Sequence, residues 1–357
     1  MSIQRIADEA GVSTATVSRF INQKANVSEM RRLKVEAAIQ KFGYKPEPTL
    51  LRRGPKASNP TLKHQCIAML GFSGPGWNRT PIGSQALEGA SRAANHHGIR
   101  LLIDFLSGTD ELPPLVRAGR VDGLLLSGPG PSDQMMAHLK HLPAMRMFSR
   151  DLFHWGDRAL PDHRHVGRLA LEYFQKSGCK SVCCITSDIS EDRYWRDRAD
   201  AFQLAARVAG IPCVMLGEQE KEAHSQQGEF LATERRIQEL AQLPDRPEGV
   251  FVANGYGHYV YEHLRRAGIR PMEDIQLVAG DFQTLSHYLD PEPVKIDIHA
   301  EEVGRAAFEF LLARIATPNG PRLTHFIEPG LLLPGQQPRR PVYRGGESAT
   351  SPNTKLG

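Results

Sequence analysis

The first feature of this 357-residue chain that could do chemistry is a short run of hydroxyl side chains ending in an arginine. Thr14, Thr16, Ser18 and Arg19 lie close together, directly after Ser13. On a helix that enters the major groove of DNA, such side chains hydrogen-bond to base edges and phosphates. The run therefore favours a nucleic-acid contact, and a three-helix bundle with another function is the alternative.

The flanking residues predict the helices that position this run. Ser2 can cap a first helix, which has an apolar stripe of Ile3, Ile6, Ala7 and Ala10, and Gly11 supplies a turn. Ser13 can cap a second helix from Thr14 to Ile21, with Ala15 and Val17 on its apolar side. Ser28 precedes a longer third helix that stops at Gly43; its apolar positions are Met30, Leu33, Val35, Ala37, Ala38, Ile39 and Phe42. A helix, a glycine turn and a short polar helix are typical of a helix-turn-helix.

The charge of the chain is concentrated in the same region. Residues 1–63 hold twelve Lys/Arg and five Asp/Glu, a net charge of +7, so the remainder carries −3 of the total of +4. A small basic head on a slightly acidic body indicates a polyanionic partner for the head alone. A merely solubilising terminal face is the other interpretation of the charge.

The run from Ile6 to Asn22 resembles the DNA-binding head of the LacI/GalR family of bacterial repressors, and so do Val27-Ser28, residues 34–39 and residues 43–46. The resemblance implies that Thr14 and Ala15 select bases and that Arg19 contacts a base or a phosphate. It also implies phosphate contacts from Thr16, Ser18, Asn22 and Ser28. Since Thr14 and Ala15 are short, we expect contact with a thymine methyl group or through water.

The connector departs from the family pattern. Gly54-Pro55 ends any helix begun at Pro48 within two turns. Leu50 or Leu51 could wedge a base step while Arg52 holds a phosphate or enters the minor groove. A helix this short would form only on DNA. A flexible basic linker is an equal alternative.

From residue 64 onward, apolar strand-like runs alternate with helical segments. Two successive series predict parallel sheets covered on both faces, and hence two α/β lobes with a cleft. Strands are predicted at 66–72, 99–103, 123–126, 181–186, 213–216, 249–253 and 276–279, and helices at 84–97, 112–118, 166–177, 196–209, 230–242 and 259–267. We expect a head at 1–45, a hinge at 46–63, a body at 64–335 and a disordered tail at 336–357. The first lobe would be 64–160 and 291–322, and the second 161–290 and 323–335.

The body is similar to the effector domain of the same family, which shares its fold with periplasmic sugar-binding proteins. The resemblance implies a cleft that holds Asp162, His163, Arg198, Asn254 and Asp281. Their donors and acceptors suit a neutral polyol, which loses water on burial. Trp77, Trp195 or Tyr256 could stack on an apolar sugar face. His163 and Gly255 depart from the family pattern, so a ligand-independent regulator with an altered cleft is the alternative.

Several functional classes are disfavoured. No apolar run approaches the roughly 20 residues of a membrane span, and the N-terminus has no secretory pattern. Both observations, with the basic head, count against a transport protein and favour the cytoplasm. Five cysteines without a CxxC indicate reduced thiols, mostly buried. No motif predicts an enzyme, a metal site or a cofactor. We expect a homodimer that binds a near-palindromic DNA operator and a small, carbohydrate-like effector.

Overall fold

The chain divides into two compact units, a head that includes residues 1–57 and a body that includes nearly all of the remainder. The computed structural model describes residues 3–21, 28–43, 62–72, 80–106, 111–128, 130–148, 155–186, 194–217, 226–280 and 288–337. Among these residues, no helix combines the length and the apolar character needed to cross a membrane.

The head consists of α1 (Ile3–Ala10), α2 (Thr14–Ile21) and α3 (Glu29–Lys41). Gly11 has a φ of 61° in the turn between α1 and α2, a backbone angle that favours glycine. A small core joins the three helices and includes Ile6, Ala7, Ala10, Val17, Val35 and Ala38. The helix-turn-helix prediction is therefore confirmed.

Four predicted apolar positions of the head, Ala15, Met30, Leu33 and Ala37, are exposed in the structure. Ala15 is exposed on α2, while Val17 alone of that helix is fully buried. Met30 and Leu33 on α3 are 71% and 64% exposed. The short head has a core that accepts only one face of each helix, and those positions lie on the opposite face.

The first lobe of the body is a six-stranded parallel sheet in the order β11-β5-β4-β3-β1-β2. Helices cover it on both faces. Its elements are β1 (Cys66–Gly71), α4 (Pro81–His96), β2 (Arg100–Phe105), α5 (Pro114–Arg117), β3 (Gly123–Ser127), α6 (Asp133–Leu139), β4 (Ala144–Met147), β5 (Asp157–Pro161), α11 (Ala300–Ala316) and β11 (Thr324–Ile327).

The second lobe repeats this plan in the order β12-β10-β9-β8-β6-β7, with only β12 antiparallel to its neighbour among the paired strands described. Its elements are α7 (His163–Lys176), β6 (Val182–Ile185), α8 (Tyr194–Ala209), β7 (Cys213–Leu216), α9 (Gln226–Gln242), β8 (Gly249–Val252), α10 (Gly257–Arg266), β9 (Gln276–Ala279), β10 (Val294–Asp297) and β12 (Gly330–Leu332). The predicted two-lobed α/β body is confirmed.

Three described segments cross between the two sheets: β5 to α7, β10 to α11, and β11 to β12. The lobe boundaries expected near 290 and 322 are wrong. Val294 of β10 pairs with Val278 in the second sheet, and Thr324 of β11 pairs with Arg158 in the first. The chain therefore crosses at 298–299 and at 328–329.

Close glycine contacts hold neighbouring helices together in each lobe. A Cβ atom on Gly304 of α11 would collide with the carbonyl oxygen of Ala86 on α4, and one on Gly89 would collide with that of Glu301. In the second lobe, a Cβ on Gly167 of α7 would collide with the carbonyl oxygen of Arg198 on α8. The backbones of these helix pairs therefore touch without intervening side chains.

All five cysteines are free thiols, as expected from their spacing. Cys66, Cys179, Cys183 and Cys184 are buried, and Cys213 is half-buried. Burial raises the pKa of the Cys213 thiol to about 11 and also raises the pKa of Cys66, Cys179 and Cys183.

Candidate DNA-reading face and effector cleft

The outer face of α2 presents the side chains predicted to contact DNA. Thr14, Ala15 and Arg19 are exposed, and Thr16 and Ser18 are half-buried. Val17 is 0% exposed and anchors the helix in the head core. Val17, with the partly buried Phe20 and Ile21, thus leaves the polar face of this eight-residue helix outward.

Ser13 and Thr16 fix the start of α2. The Ser13 Oγ accepts a hydrogen bond from the Thr16 backbone N–H at 3.2 Å, and the two hydroxyl oxygens lie 3.0 Å apart. This is an N-cap, and the free N–H groups of that first turn attract phosphate. Thr16 therefore serves the cap, while Thr14 projects from the helix start.

The cationic side chains of the head have different roles. Lys41 on α3 forms an ion pair with Glu9 on α1 at 2.7 Å, and the Arg5 guanidinium lies 5.8 Å from the Phe42 ring centroid. Both contacts join the helices of the head. Arg19 is exposed and makes no ion pair with another described residue. Arg19 is thus the cation of α2 that remains available for DNA.

The remaining predicted DNA contacts are only partly described. Ser28 is exposed before α3 in an extended conformation, and its side chain does not cap that helix. Asn22, Leu50, Leu51 and Arg52 lie outside the described residues, so their roles and the choice between hinge helix and linker remain predictions.

In the body, crossing segments join the carboxyl edges of the two sheets. Pro161 ends β5 in the first sheet, and α7 of the second lobe begins at His163. Asp297 ends β10 in the second sheet, and α11 of the first lobe begins at Ala300. Helices of parallel α/β units begin at the carboxyl edge of their sheet, so each crossing joins one such edge to the other. Ligands bind at that edge in this class of fold.

Arg198 lies at this edge but is fully buried. Its Nε donates to the His163 Nδ1 at 3.1 Å, and one terminal NH2 group donates to the carbonyl oxygens of Ala253 at 3.0 Å and Gly280 at 3.2 Å. These residues follow β8 and β9 and begin α7. Arg198 therefore ties three elements of the second lobe together. Because His163 Nδ1 accepts this bond, the proton of the neutral imidazole is on Nε2.

The other predicted cleft residues are also engaged by the fold. Asn254 is 1% exposed, and its Oδ1 accepts from the Tyr256 backbone N–H at 3.1 Å. Asp162 caps α7 by accepting from the His165 backbone N–H at 3.0 Å. Trp77 and Asp281 lie outside the described residues. The structure thus brings His163, Arg198 and the residue before Asn254 into one hydrogen-bonded group beneath the cleft surface.

Aromatic rings occupy the edge above this group. Tyr194 and Trp195 begin α8, and their ring centroids are 5.1 Å apart. Trp195 lies 6.1 Å from Tyr256, which precedes α10. Sequence reasoning named Trp195 and Tyr256 as stacking candidates but missed Tyr194 and Tyr259. The signal that was available was the placement of these rings at helix starts that follow buried strands.

Comparison with known proteins finds matches for both the head and the body. Residues 2–47 match the family described as "Bacterial regulatory proteins, lacI family", and residues 171–336 match the "Periplasmic binding protein-like domain". The chain is 28% identical over 328 residues to the "Ribose operon repressor" of Escherichia coli strain K12, covering 89% of this chain and 94% of that protein. The chain therefore joins a lacI-family DNA-binding domain to a periplasmic-binding-protein-like domain.

Other relatives have the same two-part organisation along nearly their whole length. The chain is 26% identical over 348 residues to the "HTH-type transcriptional repressor PurR" of Photobacterium profundum, covering 93% of this chain and 97% of that one. The solved lac repressor dimer bound to operator has a TM-score of 0.62 at 20% identity, with 94% of this chain and 98% of that one covered. The complex of CelR with cellobiose has a TM-score of 0.58 at 20% identity, with 94% and 99% covered. These structures show that the chain shares their fold.

Proposed function

We propose that this protein is a sequence-specific DNA-binding transcriptional repressor controlled by a small-molecule effector in the cleft between its lobes. The observation that carries the proposal is the exposed face of α2, on which Thr14, Ala15 and Arg19 project while Val17 holds the helix in the core. These side chains have no structural partner that would explain them among the described residues. Because such an operator is part of the chromosome, we propose that the protein acts in the cytoplasm.

We propose that the protein binds a near-palindromic operator as a homodimer. One eight-residue helix covers too few base pairs to give both affinity and specificity. Two heads linked through the paired bodies of a dimer make the second binding event intramolecular and multiply the affinity. The two-fold symmetry of a dimer then requires a two-fold site in the DNA.

In this proposal, the body is the part of the protein that responds to the effector by changing the arrangement of its two lobes. Its two lobes are joined by three crossing segments at residues 162, 298–299 and 328–329, around which the lobes can rotate. An effector shifts the equilibrium only as far as it prefers one lobe arrangement, by about 1–3 kcal/mol in typical allosteric proteins. A LacI-family regulator from Enterococcus faecium was solved with bound ribose, and CelR with cellobiose. We extend a carbohydrate-like effector to this protein on that basis.

The proposal is tested by selection from a library of randomised DNA duplexes with the full-length protein. Enrichment of one near-palindromic sequence with two half-sites is expected. The Arg19→Ala variant should enrich the same site more weakly or with relaxed base choice. If neither protein enriches any sequence at low salt, DNA reading by this head is ruled out.

A second candidate is a ligand-independent repressor with the same fold. The burial of Arg198, Asn254 and His163 favours it, because these side chains are buried and form hydrogen bonds with other groups of the protein. A thermal-shift screen of sugars and ring compounds on the full-length protein separates the two candidates. Only a bound effector raises the melting temperature by mass action.

A further inference from the structure

A ladder of seven rings runs over the carboxyl edge of the second sheet. It links His163 on α7 to His263 on α10 through contacts between neighbouring centroids. The successive distances are His163–Tyr194 5.0 Å, Tyr194–Trp195 5.1 Å, Trp195–Tyr256 6.1 Å, Tyr256–Tyr259 5.4 Å, Tyr259–Phe230 5.2 Å and Phe230–His263 4.5 Å. The ladder therefore connects the helices on one face of the sheet to those on the other.

The two ends of the ladder are buried and its middle is not. His163 is 5% exposed and His263 is 3% exposed. Tyr194, Trp195, Tyr256 and Tyr259 are half-buried, and we call these four residues the aromatic platform. The accessible part of the ladder thus lies at the strand ends, where ligands bind in this fold.

Two rings of the platform form a corner. The planes of Trp195 and Tyr256 are inclined by 72°, so one ring presents its edge where the other presents its face. A third flat ring in such a corner stacks on one ring and meets the edge of the other, which are the favoured aromatic geometries. A corner of this kind recognises a planar ring by shape.

Two of the buried polar atoms that lack a hydrogen-bond partner among the described residues lie near the carboxyl edge of the second sheet. One is the indole Nε1 of Trp195, a buried donor. The other is the Oγ1 of Thr186, which follows β6 and is 1% exposed. Buried polar groups are nearly always paired in native proteins, so each of these two atoms calls for an external partner. A ring bearing a polar substituent supplies an acceptor for the first and a donor or acceptor for the second.

The polar residues first expected to bind a polyol are less suitable for that role. Arg198 lies beneath the platform, with its Cζ atom 5.4 Å from the centroid of the Tyr194 ring, and it donates to protein atoms. The Asn254 amide oxygen accepts from the backbone. Since a sugar needs many donors and acceptors at once, the described edge is better matched to an apolar ring face with few polar atoms.

We propose that the effector of this protein carries a flat aromatic or heteroaromatic ring, alone or attached to a sugar, and that this ring binds in the corner between Trp195 and Tyr256. The inference rests on the proposed function, because it names the effector class of the same cleft. Trp195 is the central residue of the site, giving both a ring face and a donor.

Matched pairs of compounds test the proposal on the full-length protein. Adenosine is compared with ribose, and phenyl β-glucoside with methyl β-glucoside, because each pair keeps the sugar and removes the ring. Adenine, indole and benzoate are included as rings without a sugar. We expect at least one ring compound to raise the melting temperature and to quench tryptophan fluorescence, while its ring-free partner has no effect.

Variants locate the site. Trp195→Leu should raise the Kd of that compound about tenfold or more, as expected for the loss of one stacking ring, and Trp195→Phe should have a smaller effect. Trp155→Phe is the matched control, because the Trp155 Nε1 donates to the Leu142 carbonyl in the first lobe and should leave the Kd unchanged. The melting temperature without ligand shows whether each variant folds.

The outcomes separate this inference from the proposed function. If ribose or methyl β-glucoside stabilises the protein as strongly as its ring-bearing partner, the ring preference is refuted and a sugar effector stands. If a ring compound binds equally well to Trp195→Leu, the platform is not its site. If no compound binds, the platform proposal is overturned, while enrichment of an operator would still support the DNA-binding function.

Discussion

The head and the second lobe use polar side chains in opposite ways. In the head, Thr14 and Arg19 project from α2 while a small apolar core supports them from behind. In the second lobe, Arg198 and His163 point into the protein and bond to each other. The residues nominated by type thus lie outside in one region and inside in the other.

This difference reflects what each region binds. A DNA reader must extend beyond its own surface, because base edges lie at the bottom of a groove. A cleft that encloses a small molecule must first have a rigid wall, and a buried guanidinium that joins β8, β9 and α7 provides one. A polar residue in a family motif can therefore serve either recognition or the support of recognition.

The largest expected effect comes from Arg198→Ala. This change removes hydrogen bonds from a charged group and leaves two buried carbonyls unpaired, so the free energy of unfolding of the body should fall by about 3 kcal/mol. Urea denaturation measures it. Arg207→Ala, an exposed arginine on the same helix, is the control and should change stability little. If the two variants have the same free energy of unfolding, the hydrogen bonds of Arg198 do not stabilise the body.

The counterpart in the head is Arg19→Ala. Affinity for the selected operator should fall about tenfold, and the slope of log K against log salt should decrease by about 1 if Arg19 meets a phosphate. A guanine contact would instead relax base choice at one position. The free energy of unfolding should not change. Arg207→Ala controls for the loss of one positive charge, and an unaltered affinity for Arg19→Ala would remove this residue from the interface.

Ser13→Ala examines whether the start of α2 is held by its cap. Losing the bond from the Thr16 N–H to the Ser13 Oγ should lower the stability of the head by about 1 kcal/mol. Thermal unfolding followed by circular dichroism checks this, with the conservative variant Ser13→Asp expected to retain most of the stability. A Ser13→Ala protein as stable as the parent would show that α2 does not depend on this cap.

The smallest expected effect is on the rate at which the cysteine thiols of the body react with an alkylating agent. A thiolate is the reactive form, so a pKa raised to about 11 at Cys213 leaves this thiol protonated at neutral pH. Alkylation of the native protein by iodoacetamide at pH 7.5 should therefore be slow, faster at pH 9, and complete for all five cysteines in urea. Mass spectrometry reports the extent. Rapid labelling of Cys213 at neutral pH would contradict its partial burial.

Much of the fold follows from local patterns. The helices of the head were predicted within a few residues, because Gly11 and Ser13 mark the turn and the cap unambiguously. Strands such as β9, predicted at 276–279, show as short apolar runs. β4 and β5 escaped prediction because buried Arg146 and Asp157 interrupt their apolar pattern. Asp157 is paired in space with Arg314 of α11, far away in the chain.

Contacts within the candidate site likewise depend on residues that are far apart in the chain, so local sequence patterns do not predict them. The sequence indicated that Arg198 and Asn254 lie near a cleft, and both are at the strand ends. It did not reveal that His163 accepts from Arg198, because these residues are on different helices and meet only when α7 packs on α8. The exposed or buried state of a polar side chain depends on such packing, which no local pattern records.

The close contact between Gly304 of α11 and Ala86 of α4 predicts how a mutation at this glycine would act. Gly304 stands a few residues after the crossing at 298–299, and any larger side chain there would force α11 away from Ala86. Since α11 begins where that crossing ends, a change at Gly304 would alter the relative position of the two lobes. A substitution at this glycine is thus expected to alter the response to an effector without contacting either the DNA or the effector.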